Sequence, residues 1–588
     1  PSIDPQPSIM TNGFASHPGL ESGQRRALHG RIGQVLEEAG EGDAELLTEH
    51  YLLGERRGDA ARQARLAVEQ AEQSWAFDRA AAMVRLLLEL EARTEEARLV
   101  LLERLAEALK HAGRGGEAAG VYEQAAELTQ GPVRWRHRAE ASQLYMWFGA
   151  YYRGRDLLFE VADELGMRLP RSPLPQILWG LMLRVATRLR GIRRRERSEA
   201  EVPAVVRERI DLLLFGGFGA IITDQFLAFH LMTRGVLAAL SHGLPRQQVL
   251  ALAAETFICQ LEPGGRKQSE AAFAAAEALA VRLGDSEGLS FACMYRGVSL
   301  VQLGHWAAAG QSFTRAVEMN EQHVRGSTAL TAWGRMFLAG LAFSAGRIRE
   351  GLELYSAVVV DARSRGDVGL EVHARIGIFF QPLLLAGEPE RCERGIDECL
   401  ALLGQPEGTF GLMQVYGLLS RVQVRLYQGR GREALDLLLS HRAEIRKSGA
   451  LRSGSNVALY RQLLATACIA AADQAPPRER ARLLRMATRA GRQLASWGDN
   501  SEFYAALIGV GVLAGTGKRA EALGLLERAE GATSVSQSGL QSGCLGCLRA
   551  HYFGGPEDMA AAYEALGALG MADPKRWLRT WVSLLGQR

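Results

Sequence analysis

Apolar and small residues recur along this chain at helical spacing, and single glycines break the pattern at regular intervals. One unit runs Leu105, Ala106, Leu109, Gly113, Ala118, Tyr122 and Ala125, two apolar helical faces on either side of a turn glycine. Counted from that glycine, the frame returns as Gly297, Leu300, Gly304, Ala309, Phe313, Ala316, then as Ala339, Ala342, Gly346, Gly351, Tyr355. It returns again as Leu383, Gly387, Cys392, Ile396, Cys399, as Gly429, Ala434, Leu438, and as Val510, Leu513, Gly517, Ala522, Leu526, Ala529. Gly149 marks one more turn. Gly304, Gly346, Gly387 and Gly429 stand 41 to 42 residues apart, and the 88 residues from Gly429 to Gly517 leave room for a further copy, turning near Asp473 through Pro476 and Pro477. No stretch alternates as a strand would, so the pattern predicts an all-α chain of helical hairpins.

Small residues where paired helices touch, with a large apolar residue filling the space between pairs, resemble the tetratricopeptide repeat. That resemblance implies a right-handed helical-hairpin solenoid. Standard repeats are about 34 residues long, so the wider spacing here implies longer helices or longer connections. Five segments follow: a disordered tail over 1–22, helical hairpins over 23–130, an irregular helical middle over 131–245, the repeat array over 246–532 and capping helices over 533–588.

Composition changes this picture little. Of 588 residues 47% are apolar and 23% charged, with only 18 prolines, which fits a core-bearing protein rather than a disordered one. The 69 basic and 66 acidic side chains nearly cancel, giving no global case for nucleic acid. Seven cysteines on apolar helical faces point to a reducing, cytoplasmic setting rather than a disulfide framework. The first residues, beginning at Pro1, lack both an initiator methionine and an apolar signal core, so a fragment of a longer protein is expected.

Residues 28–50, and Trp75-Ala76-Phe77-Asp78-Arg79-Ala80-Ala81 after them, resemble the segment that follows the nucleotide-binding and winged-helix modules of large bacterial signal-transduction ATPases. Gly166-Met167-Arg168-Leu169-Pro170, Trp179, Leu183-Arg184, Arg188-Leu189-Arg190-Gly191, the charged run 193–201 and Asp573-Pro574 are similar to the C-terminal half of bacterial serine/threonine kinases fused to such ATPases. The resemblance implies the regulatory, protein-binding part of a signalling protein whose kinase and ATPase modules lie elsewhere.

This chain carries no kinase or ATPase motif of its own. His441-Arg442-Ala443 lacks the catalytic aspartate. Gly515-Thr516-Gly517-Lys518-Arg519 fails as a phosphate loop, because Val512 stands where the first glycine is required and Arg519 replaces the magnesium-binding hydroxyl. No catalytic residue and no cofactor are therefore expected. Cys544, Cys547 and His551 share one side of a helix and are the weak metal candidates, but zinc wants four ligands, or three and water. Buried small residues are the other reading. Cys392 and Cys399 occupy packing positions.

A basic helix, from Gln176 to about Arg197, sets Arg184, Arg188, Arg190, Arg193, Arg194, Arg195 and Arg197 beside Trp179, Leu181, Leu183 and Leu189. Such helices lie on anionic membranes or touch phosphates, yet Glu196, Glu199, Glu201 and Glu208 follow at once, so a solvated, internally paired charged face is expected. Residues 212–240 are too polar to span a membrane and should form a buried hairpin, with His230 a core histidine whose hydrogen bonds are satisfied.

Offsets from each turn glycine place Phe291, Met294, Val298, Val301, Trp333, Met336, Phe343, Gln381, Leu384, Tyr416, Leu419, Gln423, Tyr504 and Leu507 on the inner face of the array. They are aromatic, methionine-rich and nearly uncharged. Two readings stand: the core of a tightly wound superhelix, or a groove for a peptide, a protein segment or an apolar small molecule. A sensor and interaction scaffold is the function expected, with the upstream kinase or ATPase modules among its partners, and with no nucleic acid and no membrane span. A free-standing assembly scaffold, or a sensor array of the transcription-regulator type, is the alternative.

Overall fold

The computed structural model describes residues 21–582 and 584, apart from positions 222–223, 261, 263, 304, 325–327, 377–381, 404–409, 453, 495–498 and 537. Every regular element among these residues is a helix. They fall into two compact units, one ending at Ala112 and one beginning at Gly113. The division lies inside the 105–125 frame.

In the first unit, the helices Ser22–Ala39, Ala44–Leu53, Arg57–Gln73, Phe77–Glu91 and Glu95–His111 pack each on the next. Glu21 caps the first of them; of the expected disordered tail, residues 1–20 lie outside the described residues. Asp43 and Thr94 cap later helices by accepting from Leu46 N and Ala97 N. Alanines at 60, 64, 67, 71, 80 and 81 are all buried, which lets the helices approach closely. Two turns escape a glycine-keyed reading, since Glu55 and Trp75 take the left-handed backbone with φ of 56° and 60°. Buried Tyr51 donates to Glu37. Hydrogen bonding from Arg62, and then from Tyr51, holds the Glu37 carboxyl down at about 2.

In the second unit the turn glycines behave as the spacing predicts. Gly149, Gly346, Gly387, Gly429 and Gly517 all have positive φ, as does Gly113 at its start, while Gly304 lies outside the described residues. Ser286–Gln302, Trp306–His323, Thr328–Ser344 and Ile348–Arg365 are 17 or 18 residues long, and these long helices account for the wide repeat. The copy inferred near Asp473 is the pair Gly454–Asp473 and Pro477–Leu494. Large and small residues interlock within a pair: a Cβ on Gly297 would lie 2.5 Å from Phe313 Cε1, and Phe313 stacks on Phe337 of the next pair at 4.8 Å.

Ala204–Ala220 and Gln225–His242 form the buried hairpin expected over 212–240. His230 is in the core, but neither ring nitrogen has a hydrogen-bond partner among the described residues. Burial, and then the charge of Arg234, push it down to about 4, so the ring is held neutral.

The last helices turn back onto the array instead of merely ending it. Ser538 Oγ donates to Ser344 O at 2.6 Å, and Ala572 N to Leu385 O at 3.0 Å. Pro574–Trp581 packs on Leu412–Tyr427 and Gly454–Asp473, where Gln462 Nε2 donates to Thr580 O at 3.1 Å.

Candidate interaction surface

This return covers part of the inner face. Phe343, Leu384 and Leu507 share one core with Leu540, Cys544, Trp577 and Trp581, and Tyr504 lies 5.3 Å from Trp581, ring to ring. Phe291 and Met294 are buried in the adjoining core, with Phe291 stacked on Phe218 at 5.9 Å. Tyr416 is buried and donates to Asn456 Oδ1 at 3.0 Å, and Gln423 is buried on the same helix. Trp333 meets the His373 ring at 4.8 Å, and Met336 packs against the core of Ala332 and Val358. Gln381 lies outside the described residues. At Phe343, Leu384, Tyr504 and Leu507 the inner face is covered by the chain's own returning helices.

The chemistry-bearing residues are also committed to packing. Cys544 and Cys547 are fully buried, and burial pushes the Cys547 thiol up to about 12 and that of Cys544 well above its usual value. His551 sits at their helix end with its ring 4.6 Å from that of Tyr552. Among the described residues, no group of three or more His, Cys, Asp or Glu side chains could hold a metal ion. Burial likewise pushes Cys392 and Cys399 up to about 12. Gly517 is a turn with φ of 86°, and Lys518 beside it pairs with Glu521 at 3.0 Å.

The basic segment departs furthest from expectation. Its helix is Pro173–Arg190, opened by proline and ended by Gly191 at φ of 67°, so Arg193 to Arg197 lie beyond it. The polar side faces inward. Gln176 Nε2 donates to Pro170 O at 2.9 Å, and Gly180 meets the Phe229 ring so closely that a Cβ there would lie 2.6 Å from Cε1.

Arg184, 4% exposed, donates to both oxygens of Glu255 at 2.7 and 2.6 Å, to Glu262, and to Cys259 Sγ at 3.0 Å. Burial opposes its charge, but hydrogen bonds to Glu262 and the charge of Glu255 outweigh that and raise its pKa. Burial and Glu255 push the neighbouring Cys259 thiol up to about 12. Arg188 joins through Glu262 at 2.9 Å. Internal pairing is thus correct for these two arginines; Arg188 is also exposed as expected, whereas Arg184 is buried rather than solvated.

What the helix presents outward is apolar. Leu174, Leu178, Leu181, Met182, Val185 and Leu189 are 52 to 85% exposed and fall within an arc of about 100°, with Trp179, 59% exposed, at its edge. The following acids have other partners as well, although Glu196 also feels the charge of Arg194, and Glu201 the charges of Arg195 and Arg197. Glu196 pairs with Arg282, Glu199 with Arg207, and Glu201 accepts from Ser198, while burial pushes Glu208 up to about 7. Exposed Arg168, Arg193, Arg194 and Arg195 have no ion-pair partner among the described residues. The signal available in sequence was the run 165–195, which holds eight arginines and no acidic residue.

This is the fold of an all-α helical-repeat protein. No family model and no curated protein matches the sequence. Among solved structures, the chain is similar to one in the structure of Naa15/Naa10 bound to HypK-THB, at 11% identity over 95% of each chain with a TM-score of 0.21. It is also similar to a circular tandem repeat protein with novel repeat topology, at 16% identity over 94% of this chain and 96% of that one, with a TM-score of 0.13. Neither likeness assigns a function.

Proposed function

We propose that this chain is a non-catalytic interaction scaffold, the regulatory half of a signalling kinase or ATPase of bacterial type. The observation that carries the reading is the return of Pro574–Trp581 onto the array, which ties helices more than a hundred residues apart in sequence into one core. A partner that shifts either end of that contact would act on the other, because both ends belong to one core. Burial holds Cys259, Cys392, Cys399, Cys468 and Cys547 protonated at neutral pH, and keeps His230 and His373 uncharged.

The test mixes this chain with separately expressed kinase and ATPase modules of the proposed parent type. Binding with a change in phosphorylation or ATP turnover is expected, altered again by Trp581→Ala, which opens the return contact. Absence of binding, with activity unchanged, would reject the reading.

A further inference from the structure

We infer that the outward face of Pro173–Arg190 is a docking element for an anionic lipid surface. The inference goes beyond the scaffold reading and does not depend on it. The helix cannot turn its apolar stripe inward, because the opposite side is fixed by Gly180 against Phe229 and by the Arg184 pairs with Glu255 and Glu262. Its apolar side chains are therefore exposed by construction, on a helix about 27 Å long.

Charge selects the occupant. Residues 165–195 contain no carboxylate; Arg168 precedes the helix and Arg193, Arg194 and Arg195 follow it without a salt bridge among the described residues, and of the acids beyond them Glu196 and Glu201 act on Arg194 and Arg195 only through their charge. Leucine, methionine and an edge tryptophan, flanked at both ends by arginine, is the arrangement that lies in the plane of a negatively charged bilayer surface. The helix packs mainly on Gln225–His242 and presents its stripe as a ridge, a shape suited to a deformable plane. A nucleic acid backbone would satisfy the arginines but leave the leucines in water. No helix among the described residues is long and apolar enough to cross a membrane, so the contact is peripheral.

The test uses the full chain with vesicles of phosphatidylserine in phosphatidylcholine and with phosphatidylcholine alone, read by co-sedimentation. Partition onto the anionic vesicles is expected. It should fall at least about tenfold for the pair Met182→Glu and Leu189→Glu, and for the pair Arg193→Glu and Arg194→Glu. Salt of about 1 M, where the Debye length is about 3 Å, should weaken it as well. The exchanged side chains are exposed, so both variants should keep the parent unfolding temperature, which confirms that they fold.

The inference is overturned if the parent chain ignores anionic vesicles, or if the Met182→Glu, Leu189→Glu variant partitions as the parent does. It is also overturned if the parent dimerises without lipid and this variant is monomeric, which would make the face an interface between copies. The scaffold test contains no lipid, so either reading can fail alone.

Discussion

Pro173–Arg190 and Pro477–Leu494 are both 18 residues long, both begin at proline and both are rich in arginine, yet they sit opposite ways round. In the second helix Leu483, Leu484, Ala487, Ala490 and Leu494 are buried, and Arg478, Arg482, Arg485, Arg489 and Arg492 point to solvent. In the first, an arginine is buried and the leucines are outside. The difference lies in what each helix meets. Pro477–Leu494 packs between Gly454–Asp473 and Asp499–Gly515, whose facing side chains are apolar. Pro173–Arg190 meets two glutamates, 255 and 262, and a phenylalanine that leaves room only for glycine. An amphipathic stripe has no sign of its own; the partner surface supplies it.

The comparison is broken most directly at Arg184. Arg184→Met strands Glu255 in the core and should cost about 3–5 kcal/mol, whereas Arg485→Met on the other helix should stay within about 0.5 kcal/mol. Equal costs in chemical denaturation would end the contrast. Leu483→Ala should cost about 2–5 kcal/mol, while Leu189→Ala, at a site 85% exposed, should again fall within about 0.5 kcal/mol.

Acid sharpens the comparison, because His230 lies in the hairpin that backs the first helix, where its Cα is 3.8 Å from a Cβ placed on Gly180. Its folded pKa is depressed, so its contribution is fully present above the unfolded value near 6.5 and is lost as pH falls toward about 4. At pH 5 the loss should be about 2 kcal/mol. Hydrogen exchange should then quicken around Pro173–Arg190 before Pro477–Leu494, and His230→Leu should abolish that difference. The smallest effect is expected for Leu189→Ser, neutral in stability within about 0.5 kcal/mol and raising solubility.

The turns at Gly346, Gly387, Gly429 and Gly517 were legible in the sequence because a left-handed turn favours glycine. Those at Glu55 and Trp75 were not, because other residues bear the same strain there. Periodicity picked out Phe343, Leu384, Tyr504 and Leu507 but could not say what meets them, since the answer lies in Trp577 and Trp581, far along the chain. The charge of the Pro173 helix was visible, but of its outward stripe only Leu181 and Leu189 were picked out, and Leu183 beside them is half-buried. The orientation of the helix was not visible, because it depends on Glu255 and Glu262, more than seventy residues downstream.

The return of the last helices also bears on how the second unit comes apart. Linear repeat arrays fray from their free ends, each unit held only by its neighbour. Here the hydrogen bonds Ser538 to Ser344 and Gln462 to Thr580 pin the trailing helices to the middle, so end-first unzipping is blocked. Loss of the terminal hairpins must take the central ones with it, and unfolding of this stretch becomes a single cooperative event rather than a progressive one.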